Sequence, residues 1–511
     1  MRDSPLILSL DQGTSSSRAM VFSAQNEIVS IAQHAFKPSY PDDVGDAGDA
    51  NVVRVEHDPE QIWRTTLDAC KQAIASAAAR GTIAAVGIAN QRETTLIWDR
   101  QSGKPIYNAI VWQDRRTAAA CEKLARAGVA NEVADKTGLL LDPYFSATKI
   151  GWILDNVAGA RQKAQSGRLA FGTVDTYLIW RLTGGKRHLT DATNASRTLL
   201  FNIHSGTWDT DLLRLFNVPQ ALLPEVKNCA DDFGVTDKAV LGVELAIAGV
   251  AGDQQAALIG QTCFKPGMVK STYGTGCFMM MNTGHQPMRS RNKLLTTIGY
   301  RLGDHTTYAL EGAIFNAGTA VQWLRDGLGI IQDTNEIDRH LQHSEARHGR
   351  CLGVYMVPAF TGLGAPHWNT EARGMVSGLT RDASASDLVR AAIESVCYQT
   401  HDLLGTMLED SGLRRAAMRS DMRVDGGMAA NDWLLQFLSD ITQSRIRKPT
   451  ITETTALGAA YLAGLQIGLF ESIDDLAKKW RQEKSFEHEM DAKTRQRCLD
   501  GWRKAVQRCL L

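Results

Sequence analysis

Short apolar runs and longer helical stripes alternate along the chain. Leu6, Ile7, Leu8 and Leu10 read as a buried strand, and residues 19–22 begin a second one after a polar bend. "VEHDPEQIWRTTLDACKQAIASAAARG" has helical spacing, with Asp58 as N-cap, Pro59 at the first helical position, Glu60 and Gln61 behind it, and Gly81 as its end. "TIAAVGIAN", "TTLIWD" and "NAIVWQD" read as short strands, and "RQSGK" as a turn. Strands alternating with helices predict an α/β architecture.

The pattern restarts midway. "LAIAGVAGD" predicts a strand that leads into a small-residue helix, "QQAALIGQ". Pro266 and Gly267 then punctuate the chain, which places a boundary between domains 1–264 and 265–511. In the second half, "STYGTGCFMMM" repeats the strand–turn–strand pattern. A helix is predicted from about Gly318, with Val321, Leu324 and Leu328 on one face, and another from Trp433 after "MRVDGGMAAND". The charged segment from about Ser472 reads as helical.

Composition narrows the choices. A chain of 511 residues predicts roughly two to four domains. Lys+Arg and Asp+Glu are both 56, which argues against a chain-wide nucleic-acid footprint and leaves room only for a local basic patch. The 9 cysteines form no C-x-x-C pair, which predicts a reduced, cytoplasmic protein. "LILSL" is too short for a signal segment, and no run reaches the roughly 18 apolar residues of a membrane span. The acidic stretch "YPDDVGDAGDANVV" lacks calcium-loop spacing and reads as a solvated loop. "HLQHSEARH" places His340 and His343 on one helix face, with His348 beyond. No Cys or Glu completes a zinc pattern, so it reads as an exposed helix.

Three glycine turns carry the candidate chemistry: "DQGTSSSR" at residues 11–18, "YGTGC" at 273–277 and "VDGGMAAN" at 424–431. Each alone also fits an ordinary β-turn. The Walker, dinucleotide and protein-kinase signatures are absent. Together the turns fit a nucleotide held between two halves. Asp11 would hold a metal ion through water, Thr14, Ser15 and Ser16 would donate to phosphates, and Arg18 would add charge. Asp253, ending an apolar strand, needs a partner, a metal or a task. Arg92 and Glu93 alone would read as a solvated strand end, and Trp112 and Phe278 alone as core.

In order and spacing, these turns and "GDQQAAL" resemble the FGGY family of carbohydrate kinases. "YFSATKIGWILDN" and "GLTRDASASDLVRAAIE" agree, so the resemblance runs from about residue 10 to residue 463. It implies two actin-like, ribonuclease H-like ATPase domains of α/β class facing a central cleft. "NQRETTLIWD", "FGTVDTYLIW", "TNASRTLLFNIH" and "PAFTGLGAPHW" are similar to members that act on glycerol. The implied reaction is ATP-dependent phosphorylation of glycerol to sn-glycerol 3-phosphate, with Mg2+.

The resemblance also implies roles for single residues. Arg92, Glu93, Tyr144, Asp253 and Gln254 would hydrogen-bond the glycerol hydroxyls, and Trp112 and Phe278 would wall its carbons. Asp253 would be the general base and Asp11 the magnesium-site acid. Thr275 would approach the terminal phosphates, Gly318 and Gln322 would line the nucleotide, and Gly427 and Asn431 the adenosine. Family members are often dimers or tetramers, which implies a homo-oligomer. "DKAVLGVELAIAG" lacks the paired glycines and arginine of a loop that binds fructose 1,6-bisphosphate in some bacterial members, so no response to that sugar is expected. Two alternatives remain at this level. A pentulose or hexulose kinase of the same family would need room where Trp112 and Phe278 stand. An actin-like filament or chaperone ATPase would leave Arg92, Glu93, Trp112 and Tyr144 without a task.

Overall fold

A computed structural model describes residues 5–41, 53–369, 371–412 and 421–511. The acidic residues 42–49 lie outside the described residues. Two central sheets organise the chain. The first contains β1 (Pro5–Gln12), β2 (Ser16–Ser23), β3 (Ile28–Ala35), β4 (Thr82–Asn90) and β5 (Ala246–Gly252). Its order is β5-β4-β1-β2-β3, an antiparallel β1–β2–β3 meander with β4 and β5 parallel to β1.

The second sheet contains β6 (Val269–Tyr273), β7 (Cys277–Gly284), β8 (Leu295–Leu302), β9 (His305–Ile314), β10 (Met422–Asp425), β11 (Ile446–Pro449) and β12 (Gln482–Phe486). Its order is β8-β9-β7-β6-β10-β11-β12. Here too a hairpin opens the unit and two later strands run parallel to its first strand. Two α/β halves built on one plan, each opened by a glycine-turn hairpin, agree with the actin-like expectation.

Helix α1 (Pro59–Ala77) starts as predicted: Asp58 Oδ1 accepts from the Glu60 N–H at 2.9 Å. It ends at Ala77, short of Gly81. Its apolar face covers β2 and β3. Helix α2 (Asp253–Gly260) follows β5 directly. Helix α3 (Gly318–Gln322) is shorter than expected: one wide turn over Trp323–Gly327 continues it, and Leu328 is exposed. Gly327 and Gly329 bracket that position, and Gly329 is left-handed at φ 63°, which terminates the helix. Helices α4 (Ala385–Ser411) and α5 (Asp432–Thr442) pack on one another over the second sheet.

Helix α6 (Thr454–Gln466) crosses to the other half and lies on β1, β4 and β5, against α2. Small residues permit this approach. A Cβ on Gly87 of β4 would stand 2.1 Å from the Ala459 carbonyl oxygen, and one on Gly458 would stand 1.8 Å from that of Ala256. The two halves therefore share a core under their cleft, which includes Ile7, Ala85, Leu258, Ala459 and Leu462.

Two other expectations change. "NAIVWQD" is a strand only over Ala109–Ile110. The chain turns there because the buried Asp114 carboxylate accepts from the Val55 N–H at 2.7 Å and pairs with Arg116. The final charged segment is helix Ile473–Lys479, strand β12 and helix α7 (Ala492–Cys509), not helix alone. Gln482, Glu483, Lys484 and Ser485 are exposed on a charged edge strand, so no apolar alternation marks it. No helix among the described residues is long and apolar enough to cross a membrane.

Candidate active site

Parallel strands place the candidate residues on one edge. In register, Gln12 of β1 lies beside Asn90 of β4, and Asn90 beside Gly252 of β5. Asp11, the pair Arg92–Glu93 and Asp253 thus meet at the carboxyl ends of three neighbouring strands, where open α/β sheets bind ligands. The second sheet repeats the arrangement. Thr272 of β6 pairs with Asp425 of β10, which brings the turn at residues 274–276 beside Gly426 and Gly427.

The base of the site is a buried charge network. Arg92 Nη2 donates to Glu311 Oε1 at 2.9 Å, and Nη1 donates to Glu311 Oε2 and to Gln255 Oε1 at 3.2 Å. Its Nε lies 3.2 Å from Asp253 Oδ1. A guanidinium has about five N–H donors, so roughly one remains for a substrate hydroxyl. Arg197 completes the network: its Nε donates to Glu93 Oε1 at 2.6 Å and its Nη2 to Glu311 Oε1 at 2.9 Å. Burial opposes ionisation of Glu311, but Arg197 and Arg92 outweigh it and hold the carboxyl at about 2. For Glu93 the burial prevails over Arg92 and Arg197, and its pKa is raised.

Glu93 itself has φ 58°, a strained conformation for a non-glycine residue. Its carbonyl is fixed by the hydroxyls of Thr95 and Ser146, each at 3.0 Å. Arg197 and Glu311 were not among the residues singled out from sequence. The available signal was a lone glutamate in the apolar run "YALEGAI".

Asp253 is the first residue of α2, and its side chain is 30% exposed. Its Oδ1 accepts from the Gln254 N–H at 2.7 Å and lies beside the Arg92 guanidinium. The Gln254 side-chain carbonyl accepts from the Lys270 ammonium, which also donates to Thr272 Oγ1 at 2.9 Å. Lys270 is fully buried, and burial lowers its pKa. It was not foreseen either.

Three aromatic rings meet above this floor. Trp112 lies edge-to-face with Tyr144 at 5.6 Å and with Phe278 at 6.4 Å between ring centroids. Phe278 belongs to β7, so the wall spans both halves. Burial pushes the Tyr144 hydroxyl up, which keeps it neutral. Trp112 Nε1 donates to Thr14 Oγ1 at 3.0 Å and joins the wall to the first glycine turn.

That turn is closed by the Gly13 N–H on the Ser16 carbonyl at 2.9 Å. Ser15 is exposed at its tip. The Ser16 hydroxyl accepts from Gln33 at 3.0 Å and is engaged outside the turn. Arg18 stands opposite Asp11 in register and pairs with Glu453, just ahead of α6. Burial raises Asp11 to about 7; Arg18 opposes this, and Asp253 and Glu453 add to it. A carboxyl surrounded by more negative than positive charge suits a divalent cation. No cluster of three or more His, Cys, Asp or Glu capable of holding a metal occurs among the described residues.

On the opposite side, the Thr275 carbonyl accepts from the N–H groups of Ala317 and Thr319, each at 3.1 Å. The Gly318 N–H donates to the Gly274 carbonyl at 3.0 Å, where a Cβ on Gly318 would stand 2.6 Å from the same oxygen. Gln322 is exposed, and a side chain on Gly427 would meet nothing within 4 Å. Asn431 is engaged at both ends: Oδ1 caps α5 by accepting from the Leu434 N–H at 2.8 Å, and Nδ2 donates to Asp338 at 2.6 Å. The histidines stay apart from the site. His340 bonds Ser386 at 2.9 Å, and His348 lies 3.3 Å from Asp387.

The chain resembles known proteins over nearly its whole length. The FGGY family of carbohydrate kinases matches through its N-terminal domain over residues 6–260 and its C-terminal domain over residues 269–467. A glycerol kinase of Ectopseudomonas mendocina is 56% identical over 509 residues, 99% of each chain. The crystal structure of Plasmodium falciparum glycerol kinase with ADP superposes with a TM-score of 0.90 at 36% identity, covering 100% of this chain and 99% of that one. A gluconate kinase from Lactobacillus acidophilus shares the fold, with a TM-score of 0.83 at 20% identity over 99% of this chain and 97% of that one.

Proposed function

The chain belongs to the FGGY family of carbohydrate kinases, and from that premise we propose that it transfers the γ-phosphoryl group of ATP to glycerol, giving sn-glycerol 3-phosphate and ADP. The full-length likeness to glycerol kinases carries the choice of substrate. The part-exposed carboxylate of Asp253 and the three-ring wall support it.

The residues divide the work. Glycerol lies against Trp112, Tyr144 and Phe278, with its hydroxyls on Arg92, Glu93, Tyr144, Asp253 and Gln254. Asp253 Oδ2 accepts the proton of the attacking hydroxyl, while Arg92 and the Gln254 N–H hold Oδ1 still. A fixed base needs no reorientation as the O–H bond breaks. The amide nitrogen of Gln254 faces the substrate because Lys270 occupies its oxygen.

Thr14 and Ser15 receive the phosphates from the first half, and Thr275 from the second. Gly318, Gln322, Gly427 and Asn431 border the nucleotide. Arg18 acts by setting the charge around Asp11 through its pairing with Glu453. Asp11 would hold magnesium, which when bound would supply positive charge beside the transferring group. We place the boundary between the two working domains at residues 264 and 265.

The test is ADP release by the purified protein with glycerol, ribulose, xylulose or dihydroxyacetone. Turnover should be highest with glycerol. Comparable or higher turnover with a pentulose, or equal turnover with no acceptor, would overturn the assignment.

A further inference from the structure

Asp191 ends the short strand Leu189–Asp191 and caps a one-turn helix, Ala192–Ala195. Asp191, Thr193, Asn194 and Asn90 are all fully buried. Donors surround both oxygens of the Asp191 carboxylate. Oδ2 accepts from the Thr193 N–H and the Thr193 hydroxyl, each at 2.7 Å, and from the Cys229 thiol at 3.3 Å. Oδ1 accepts from the Asn194 N–H at 3.1 Å and from Asn194 Nδ2 at 2.8 Å. An ionised carboxylate accepts on both oxygens, whereas an amide accepts on one side alone.

From Asp191 these bonds run on to the ends of two neighbouring strands. The Thr193 hydroxyl gives its one proton to Asp191 and accepts from the Gly252 N–H at 2.9 Å. Gly252 ends β5 and immediately precedes Asp253. The second hydrogen of Asn194 Nδ2 goes to Asn90 Oδ1 at 3.0 Å, and Asn194 Oδ1 accepts from Asn90 Nδ2 at 2.9 Å. Asn90 ends β4, and its Nδ2 also donates to the Gln91 carbonyl at 2.9 Å, next to Arg92. Asn90 and Gly252 are themselves neighbours in register.

We propose, on the premise that the chain phosphorylates glycerol, that Asp191 is a positioning residue for the transfer. Through Thr193 it sets the end of β5 and with it Asp253. Through Asn194 it sets the end of β4 and with it Arg92 and Glu93. Capping the short helix needs only the two backbone N–H bonds. The side-chain bonds do something else: they decide that the Thr193 hydroxyl presents a lone pair to Gly252 and that the Asn194 amide presents its oxygen to Asn90. Without the carboxylate the hydroxyl is free to rotate and the amide to flip. A misplacement of about 1 Å at reacting groups costs about 10²-fold in rate.

The test compares Asp191→Asn, Thr193→Val and Thr193→Ser with the wild type in steady-state kinetics, and follows deuterium exchange of the peptide that spans Gly252. In Asp191→Asn, kcat should fall about 10²-fold and the glycerol KM should rise, while the ATP KM stays near wild type. Thr193→Val loses the bond to Gly252, so kcat should fall roughly 2- to 10-fold and exchange at Gly252 should quicken. Thr193→Ser keeps the hydroxyl and should restore both. If Asp191→Asn does not fold, the Thr193 pair decides. Wild-type kcat in a folded Asp191→Asn protein, an equal rise in both KM values, a loss in Thr193→Ser as large as in Thr193→Val, or unchanged exchange at Gly252 in Thr193→Val would overturn the proposal. If the wild type turns over no glycerol, the proposed function fails by itself. Exchange at Gly252 in the variants then decides the positioning, with faster exchange supporting it and unchanged exchange overturning it.

Discussion

Arg92 and Glu311 are bound through both guanidinium Nη atoms, although 219 residues separate them. One ends the strand region of the first half, and the other lies inside β9 of the second. The pair therefore ties the glycerol side of the site to the opposite sheet. Breaking a buried ion pair by removing one partner costs about 3–5 kcal/mol. Glu311→Gln should lower the unfolding midpoint by a corresponding amount and raise the glycerol KM, because Arg92 loses its anchor. Arg92→Met combined with Glu311→Met should lose less stability than the two single changes added together. Denaturant titration of the four proteins measures the coupling, and simple additivity would show that the two residues act independently.

Lys270 offers a more selective test. Its ammonium holds the Gln254 carbonyl, so Lys270→Met should let that amide rotate. A hydrogen bond to a charged group contributes about 1.5–3 kcal/mol, which corresponds to a rise in glycerol KM of roughly 10- to 100-fold. The ATP KM should change little. An equal rise in both constants would indicate general damage rather than lost orientation.

In the proposed site Trp112 would serve both substrates, lining the glycerol wall with its ring and holding Thr14 through its N–H. Trp112→Phe keeps a ring in the wall but frees Thr14. Losing one neutral hydrogen bond costs about 0.5–1.5 kcal/mol, so the ATP KM should rise roughly 2- to 10-fold while the glycerol KM stays near wild type. Trp112→Ala should raise both. Steady-state kinetics in each substrate separates the outcomes, and an ATP KM unchanged in Trp112→Phe would remove the link to the turn.

Asp11 gives a pH dependence with a definite sign. Its folded pKa is raised from 3.8 to about 7, so the native state binds more protons than the unfolded chain between those values. Stability from this group is present below the unfolded pKa, falls as pH rises through that window and is lost above the folded pKa. Without nucleotide or metal, Asp11→Asn should therefore raise the thermal midpoint at pH near 8, by at most about 4 kcal/mol of stability, and have little effect near pH 4. It should also abolish most of the magnesium-dependent turnover. Melting curves at both pH values check the first claim, and equal midpoints at pH 8 would contradict it.

Much of this was readable from the chain because the signals were local. The bend after Asp11 packs glycine and hydroxyl residues into one hairpin, and Asp58–Pro59 announces α1 within a single turn. What escaped was set by distant partners. Glu311 and Arg197 are charges whose burial makes sense only when the two sheets meet, and neither periodicity nor turn chemistry reports that meeting. The partner of Arg18, Glu453, lies 435 residues away, and no local signal announces that pairing. The Leu328 stripe failed because two glycines ended a helix that apolar spacing would have continued. Strand β12 was invisible because a charged edge strand shows no buried face.

Asp253, as the general base, is the centre of the proposed mechanism. Asp253→Asn preserves size and can still accept the Gln254 and Arg92 contacts through its amide oxygen, but it cannot take a proton at neutral pH. Positioned general bases contribute about 10²–10⁴-fold, so glycerol-dependent kcat should fall by that order. Nucleotide affinity, the thermal midpoint and the glycerol KM, measured on the same preparation, should stay close to wild type. A folded Asp253→Asn protein that binds ATP normally and keeps most of its glycerol-dependent turnover would contradict the mechanism.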